Sequence, residues 1–268
     1  MTDVFANITA APLKALEMIS NVLELRAAIP QQQEMLRTYL RDIEFPDRAK
    51  VLEIGCGTGP VARVLAGWPN VEEVVAVDPS EYLVEKAGTL SAGVPNLIFE
   101  VGDGKALRFH EASFDVVILH TVLTHVPAPE AMLAEARRVL RSGGWLGVCD
   151  GDFSTATLST GDLDPLDACV EAFVAGFVND RWMVRRMSRL AAEAGFEVSP
   201  LRSYGLVETA KPGLTITWVD RGADALASQG RIGPEMAVAL KEEARRRAEA
   251  NAFFGYMAYA SMIGRAAR

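Results

Sequence analysis

VLEIGCGTG, Val51 to Gly59, is the stretch that decides the fold. An apolar run holding one acidic residue, Glu53, and stopped by glycine reads as a buried parallel strand. Gly55, Gly57 and Gly59 let the backbone turn sharply and come close to a ligand. Pro60 suits the first position of the helix that follows. Strand, glycine turn and helix together form a nucleotide-type cradle. Which nucleotide stays open at this point. The dinucleotide fingerprint G-x-G-x-x-G/A places its third glycine where Pro60 stands, and here that glycine falls one place early, at Gly59. The P-loop is excluded, because no G-K-S/T follows the glycines.

Outward from this module a strand–helix alternation runs on. VEEVVAVD ends a second strand at Asp78, and NLIFEVGD ends a third at Asp103. FDVVILH, Phe114 to His120, is a fourth, and WLGVCD, Trp145 to Asp150, a fifth. A helix over Glu130 to Leu140 lies between those two and stops at Arg141-Ser142-Gly143-Gly144. Repeated units of this length predict an α/β, doubly wound parallel sheet. Residues 1–45 read as helices divided by Pro30, with a boundary at Phe45-Pro46-Asp47. After Asp150 the spacing predicts helices near 168–177 and 181–194 and a sixth strand in FEVSPLRSYG. An irregular stretch over 206–233, a charged helix from Pro234 to Ala250 and a closing strand in AFFGYMAYASMIG complete the chain. The mixed charges of KEEARRRAEA, Lys241 to Ala250, read as a solvated helix face.

Composition narrows the function. The 268 residues are 50% hydrophobic and 23% charged, with a net charge of -8. That acidity argues against sequence-independent nucleic-acid binding. Three cysteines without a C-x-x-C argue against a disulfide framework or a structural zinc site, so no metal is expected. Cys56, Cys149 and Cys169 read as small packing residues. No leader and no membrane-length apolar run is seen, and a cytoplasmic setting is the expectation.

Five segments in order, VLEIGCGTG, VVAVDPS, FEVGDGKALRF, SFDVVILHTVLTHV and EARRVLRSGGWLGVCD, resemble class I S-adenosylmethionine-dependent methyltransferases over residues 50–150. The resemblance implies a Rossmann-like seven-stranded sheet of order 3-2-1-4-5-7-6. It also implies a single domain over 1–268: an N-terminal helical cap (1–45), a cofactor core (46–150) and a C-terminal half with lid insertions (151–268). S-adenosylmethionine is the implied cofactor. Glu53, Gly55, Cys56, Gly57 and Gly59 would meet or support its methionine end. Asp78 would take the ribose, with Pro79 and Ser80 beside the adenine. Gly102, Asp103 and Gly104 follow strand three, where a carboxylate accepts from the adenine amine and a backbone N–H donates to the ring. His120 matches a position that offers its backbone carbonyl to the methionine amine.

Methyl transfer demands alignment and exclusion of water, and a general base only for acceptors that must lose a proton. His120, His125 and Asp150 are the candidate catalytic groups, since all three follow strands four or five at the ligand-binding edge. Asp152 stands beside Asp150. Phe153, Trp182, Arg185, Arg186, Tyr204, Trp218, Asp220 and Arg221 are candidates to face an acceptor in the lid. The acceptor expected is a small molecule offering an O, N or C nucleophile, a natural-product or quinone-like intermediate. No nucleic-acid or membrane partner is expected. The alternatives are an RNA or protein methyltransferase docking at Arg181, Arg185, Arg186 and Arg189, or a cyclase-like protein that binds the cofactor without transferring its methyl.

Overall fold

A computed structural model describes residues 3–209 and 212–267. The first two positions of the expected cap, two positions within 206–233 and the last residue of the expected 1–268 domain lie outside the described residues. The parallel part of the sheet is β1 (Ala49–Ile54), β2 (Val71–Asp78), β3 (Leu97–Val101), β4 (Phe114–His120) and β5 (Leu140–Thr157). β6 (Phe196–Val198), β7 (Arg202–Glu208) and β8 (Gly255–Ala266) complete it, in the order β3-β2-β1-β4-β5-β8-β6 with β7 also on β8. This is the expected 3-2-1-4-5-7-6 path with its sixth strand in two pieces. β6 and β7 lie on the same edge of antiparallel β8, one after the other. Between them Ser199 still donates its N–H to Ile263, but Pro200 has none to give, and the ladder breaks there.

Side chains alternate through the sheet. Val51, Val74, Val116 and Ile118 join α2 (Pro30–Leu40) and α3 (Pro60–Ala66) on one face. Leu52, Ile54, Val75, Val117 and Leu119 join α5 (Pro129–Val139) and α7 (Met187–Glu193) on the other. α1 (Leu13–Ala28) and α4 (Glu81–Leu90) pack beside α3 and β3. Ser80 caps α4 by accepting from the Leu83 N–H, as a hydroxyl at an N-cap does.

The C-terminal half departs from the sequence reading in three places. β5 does not stop at Asp150; it runs on to Thr157 and stays paired with β8 through Tyr256. The single helix expected over 181–194 is a short 3-10 turn at Met183–Arg185 followed by α7. The stretch 206–233 holds the end of β7 and a 13-residue helix, α8 (Ile216–Ser228), rather than irregular chain. Gly222 hides that helix, since glycine weakens a helix interior. Its purpose is tertiary: a Cβ there would stand 1.9 Å from the Cys169 carbonyl oxygen of α6 (Leu166–Phe177). α8 packs against both α6 and α9 (Pro234–Glu249).

Candidate active site

The carboxyl ends of β1, β2 and β4 open into a cavity of about 230 Å³. Glu53, Gly55–Gly57, Asp78, Pro79, Asp103, Gly104, His120 and His125 line it, and Phe5, Ile8, Thr9 and Leu23 roof it from the N-terminal segment. Gly55, Gly57 and Gly59 all sit at positive φ, so the turn needs the conformational freedom that VLEIGCGTG suggests. The Gly55 and Cys56 amides both donate to the Val77 carbonyl, which ties the turn to β2. Gly59 is the N-cap of α3 and lies behind the cavity wall. Burial pushes the Cys56 thiol up, so the residue contributes its backbone and not a nucleophile.

Asp78 links the two loops. It accepts from the Gly57 N–H at 2.9 Å and the Ser80 N–H at 3.0 Å. Burial raises its carboxyl, and those two donors oppose the rise. Gly102 donates to the Asp78 carbonyl at 3.0 Å and so fixes the end of β3. Asp103 is exposed at the cavity rim and accepts from the Lys105 N–H at 2.9 Å. Gly104 is buried with no room for a side chain: a Cβ would meet Ile54 Cγ2 at 2.4 Å and Met132 Cε at 2.8 Å.

Glu53 is buried, and its Oε2 has no hydrogen-bond partner among the described residues. Burial first, then the Asp78 charge, pushes its carboxyl up to about 8. The guanidiniums of Arg63 and Arg26 oppose the rise. Arg63 already pairs with Glu24. Arg26, on α1, makes no ion pair or side-chain hydrogen bond among the described residues. It lines both the main cavity and a second one between α1, α2 and α3. Sequence reasoning missed it, because one arginine on an amphipathic helix carries no local signal.

The three candidate catalytic groups differ sharply. His120 is 8% exposed; its Nδ1 meets the Tyr39 hydroxyl at 3.0 Å, and burial lowers it to about 3. Asp150 is buried and accepts from the Thr124 N–H and hydroxyl and from the Gly151 N–H. Its carboxylate holds the turn that carries His125. His125 lines the cavity, with its Nδ1 2.8 Å from Asp3 Oδ2.

The lid candidates are scattered. Trp218 is core: 3% exposed and stacked 5.6 Å from the Phe173 ring. Tyr204 bonds the Ser261 hydroxyl, and Asp220 pairs with Arg245. Asp152 accepts from the Ser154 N–H and from Arg185 Nε, and Arg185 lies over the exposed Trp182 ring. Phe153 does not line the cavity but packs edge-on to His125 at 6.1 Å. Arg221 lies over Phe173 and Phe177, and burial lowers it to about 10. Among the described residues no group of three or more His, Cys, Asp or Glu is placed to hold a metal ion, and no helix is long and apolar enough to cross a membrane.

Comparison with known proteins places this geometry. Residues 52–148 match the model of a methyltransferase domain. An uncharacterized 37.1 kDa protein in transposon TN4556 of Streptomyces fradiae is 34% identical over 55% of this chain and 43% of its own length. The uncharacterized methyltransferase YcgJ of Bacillus subtilis is 28% identical over 70% of this chain and 71% of its own. The YcgJ crystal structure superposes over 88% of this chain and 99% of that one with a TM-score of 0.63, at 17% identity, which shows the shared fold. The demethylmenaquinone methyltransferase of Staphylococcus aureus is 30% identical over 54% of this chain and 57% of its own. The chain spans about half the length of the first curated relatives it matches.

Proposed function

We propose that this chain, which belongs to the class I S-adenosylmethionine-dependent methyltransferases, methylates a small molecule through an O, N or C nucleophile. The observation that carries the reading is a pair of polar groups that find no side-chain partner among the described residues, the buried Oε2 of Glu53 and the Arg26 guanidinium, both in one cavity. An α-amino acid zwitterion supplies what each lacks, an ammonium for the carboxylate and a carboxylate for the guanidinium. Asp78 would hold ribose hydroxyls with its remaining lone pairs. Asp103 and the backbone at Gly104 would take the adenine in a slot where Ile54 and Met132 leave no room for a Cβ. When bound, the cofactor supplies a methyl carbon made electrophilic by its sulfonium, whose sulfur keeps the bonding pair and leaves as a neutral thioether. The protein's part is to hold, align and keep water out, and the Phe5 and Ile8 roof serves the last of these.

A small acceptor fits the lid chemistry better than RNA does. Arg181, Arg185, Arg186 and Arg189 pair with Glu171, Asp152, Asp180 and Glu193, so the basic run has little charge left for phosphates. A quinone-like or natural-product acceptor is the class we favour, in line with the demethylmenaquinone methyltransferase it resembles.

Calorimetry tests the cofactor. S-adenosylmethionine and S-adenosylhomocysteine should bind, and Asp78→Ala and Asp103→Ala should each weaken binding about tenfold. Binding of NAD without S-adenosylmethionine would overturn the assignment. Glu53 gives a proton test. At pH 7 a carboxyl raised to about 8 is mostly protonated, and an arriving ammonium should ionise it. Cofactor binding at pH 7 should therefore release about one proton, read as a heat that varies with buffer ionisation enthalpy, and Glu53→Gln should abolish that dependence. Label from S-methyl-tritiated cofactor, offered to quinols, phenols and bulk RNA, separates the acceptor readings.

A further inference from the structure

Asp3, like Arg26, is a residue of this site that nothing in the sequence singles out. Its side chain is 1% exposed. One oxygen accepts from the Phe5 N–H at 2.9 Å; the other accepts from the Asn179 N–H at 2.8 Å and meets His125 Nδ1 at 2.8 Å. Three parts of the chain thus converge on one carboxylate: the N-terminal segment, the turn after β4 and the loop after α6. The segment that carries it also supplies Phe5, Ile8 and Thr9 to the roof of the cofactor cavity. His125 is clamped from two sides, by Phe5 at 4.5 Å and Phe153 at 6.1 Å between ring centroids.

A neutral imidazole donates from one nitrogen and accepts at the other, and the partner of one fixes the role of the other. A carboxylate at Nδ1 demands the proton there, which leaves the Nε2 lone pair free. We propose that Asp3 is a positioning residue: it sets His125 as an Nε2 proton acceptor, and it does so only while residues 3–10 are folded over the cofactor cavity. Closure and base alignment are then one event, because the same carboxylate pins the roof and orients the ring. The proton step balances simply. The O–H or N–H bond of the acceptor breaks, its proton joins the Nε2 lone pair, and the electron pair left behind is the one that bonds the methyl carbon. Nδ1 keeps its proton, and the imidazolium is stabilised by Asp3 until Nε2 returns its proton to water. The charged groups around the ring are Asp3 from the N-terminal segment, Asp150 from β5 and, acting on Asp3, Arg221 from α8.

The proposal rests on the methyltransferase reading for its chemistry, while its structural half stands alone. Nitrogen-15 spectra of the histidines test that half, and with three in the chain, His110→Gln and His120→Asn assign them. Neutral His125 should carry its proton on Nδ1, and in Asp3→Asn the Nε2–H form should gain. An Nε2–H tautomer in the native protein, or one unchanged by Asp3→Asn, overturns the positioning role. Release of S-adenosylhomocysteine should quicken about tenfold in Asp3→Asn, as loss of a charged hydrogen-bond latch predicts. Unchanged release overturns the coupling to closure. Absence of any S-adenosylhomocysteine binding to the native protein would instead strike the cofactor assignment and leave the tautomer result standing. Asp3→Asn keeps the side-chain shape. Ile8 is a buried hydrophobic residue of this segment, in a small cluster with Ile19 and Leu83 outside the two main sheet cores.

Discussion

His120 and His125 bracket the same turn and live in opposite surroundings. His120 closes β4 and sits at the floor of the site, neutral against the Tyr39 hydroxyl, with protonation pushed down to about 3. His125 stands at the mouth, against a carboxylate and two phenyl rings. The difference teaches that distance along the chain says little about chemical role. A histidine stripped of water and faced by a neutral hydroxyl is a packing and hydrogen-bonding group. One held by a carboxylate is equipped to take a proton and keep it briefly.

The comparison breaks most visibly in rate. His125→Asn should lower transfer to a hydroxyl or amine acceptor about 100-fold or more while cofactor affinity stays within about threefold. An equal loss from His120→Asn at unchanged stability would erase the distinction. Next in size is stability. His120→Asn leaves the buried Tyr39 hydroxyl without its partner and should lower the melting temperature by roughly 3–8 °C. A smaller effect lies in the acid limb. His120 folds with its protonation depressed, so between about 3 and the ordinary 6.5 the unfolded chain binds the extra proton. Unfolding free energy therefore falls as pH drops through that window. Urea midpoints at pH 7 and pH 5 should move closer together in His120→Asn than in the native chain. Least of all, Tyr39→Phe should cost about 1 kcal/mol with no change in the pH dependence of transfer.

The same contrast explains what was legible beforehand. β1 to β4, the glycine turn, Asp78 and Gly104 are written locally, because a buried parallel strand and a tight turn each demand particular residues in adjacent positions. The helices divided by Pro30 and the closing strand β8 were readable for similar reasons. Other features depend on partners far away in the chain. Asp3 acquires its meaning from His125 and Asn179, and Arg26 from Glu53. Gly222 signals a break locally and a close helix contact in the fold. Trp218 looks like a ligand platform until Phe173 is seen stacked on it. Pro200 in FEVSPLRSYG marks a break in the ladder, but nothing there announces that both pieces stay on a single edge of β8.

β5 and β8 run on together past Asp150: Gly151 and Asp152 against Tyr259 and Ala258 and, after a shift in register, Thr157 against Tyr256. The strand that carries Phe153 to His125 is thus woven from the same cloth as the sheet. Surface residues on α6, α8 and α9 can change without breaking that pairing. A lineage built on this scaffold is free to vary its outer helices while the backbone behind the His125 ring stays tied to the sheet.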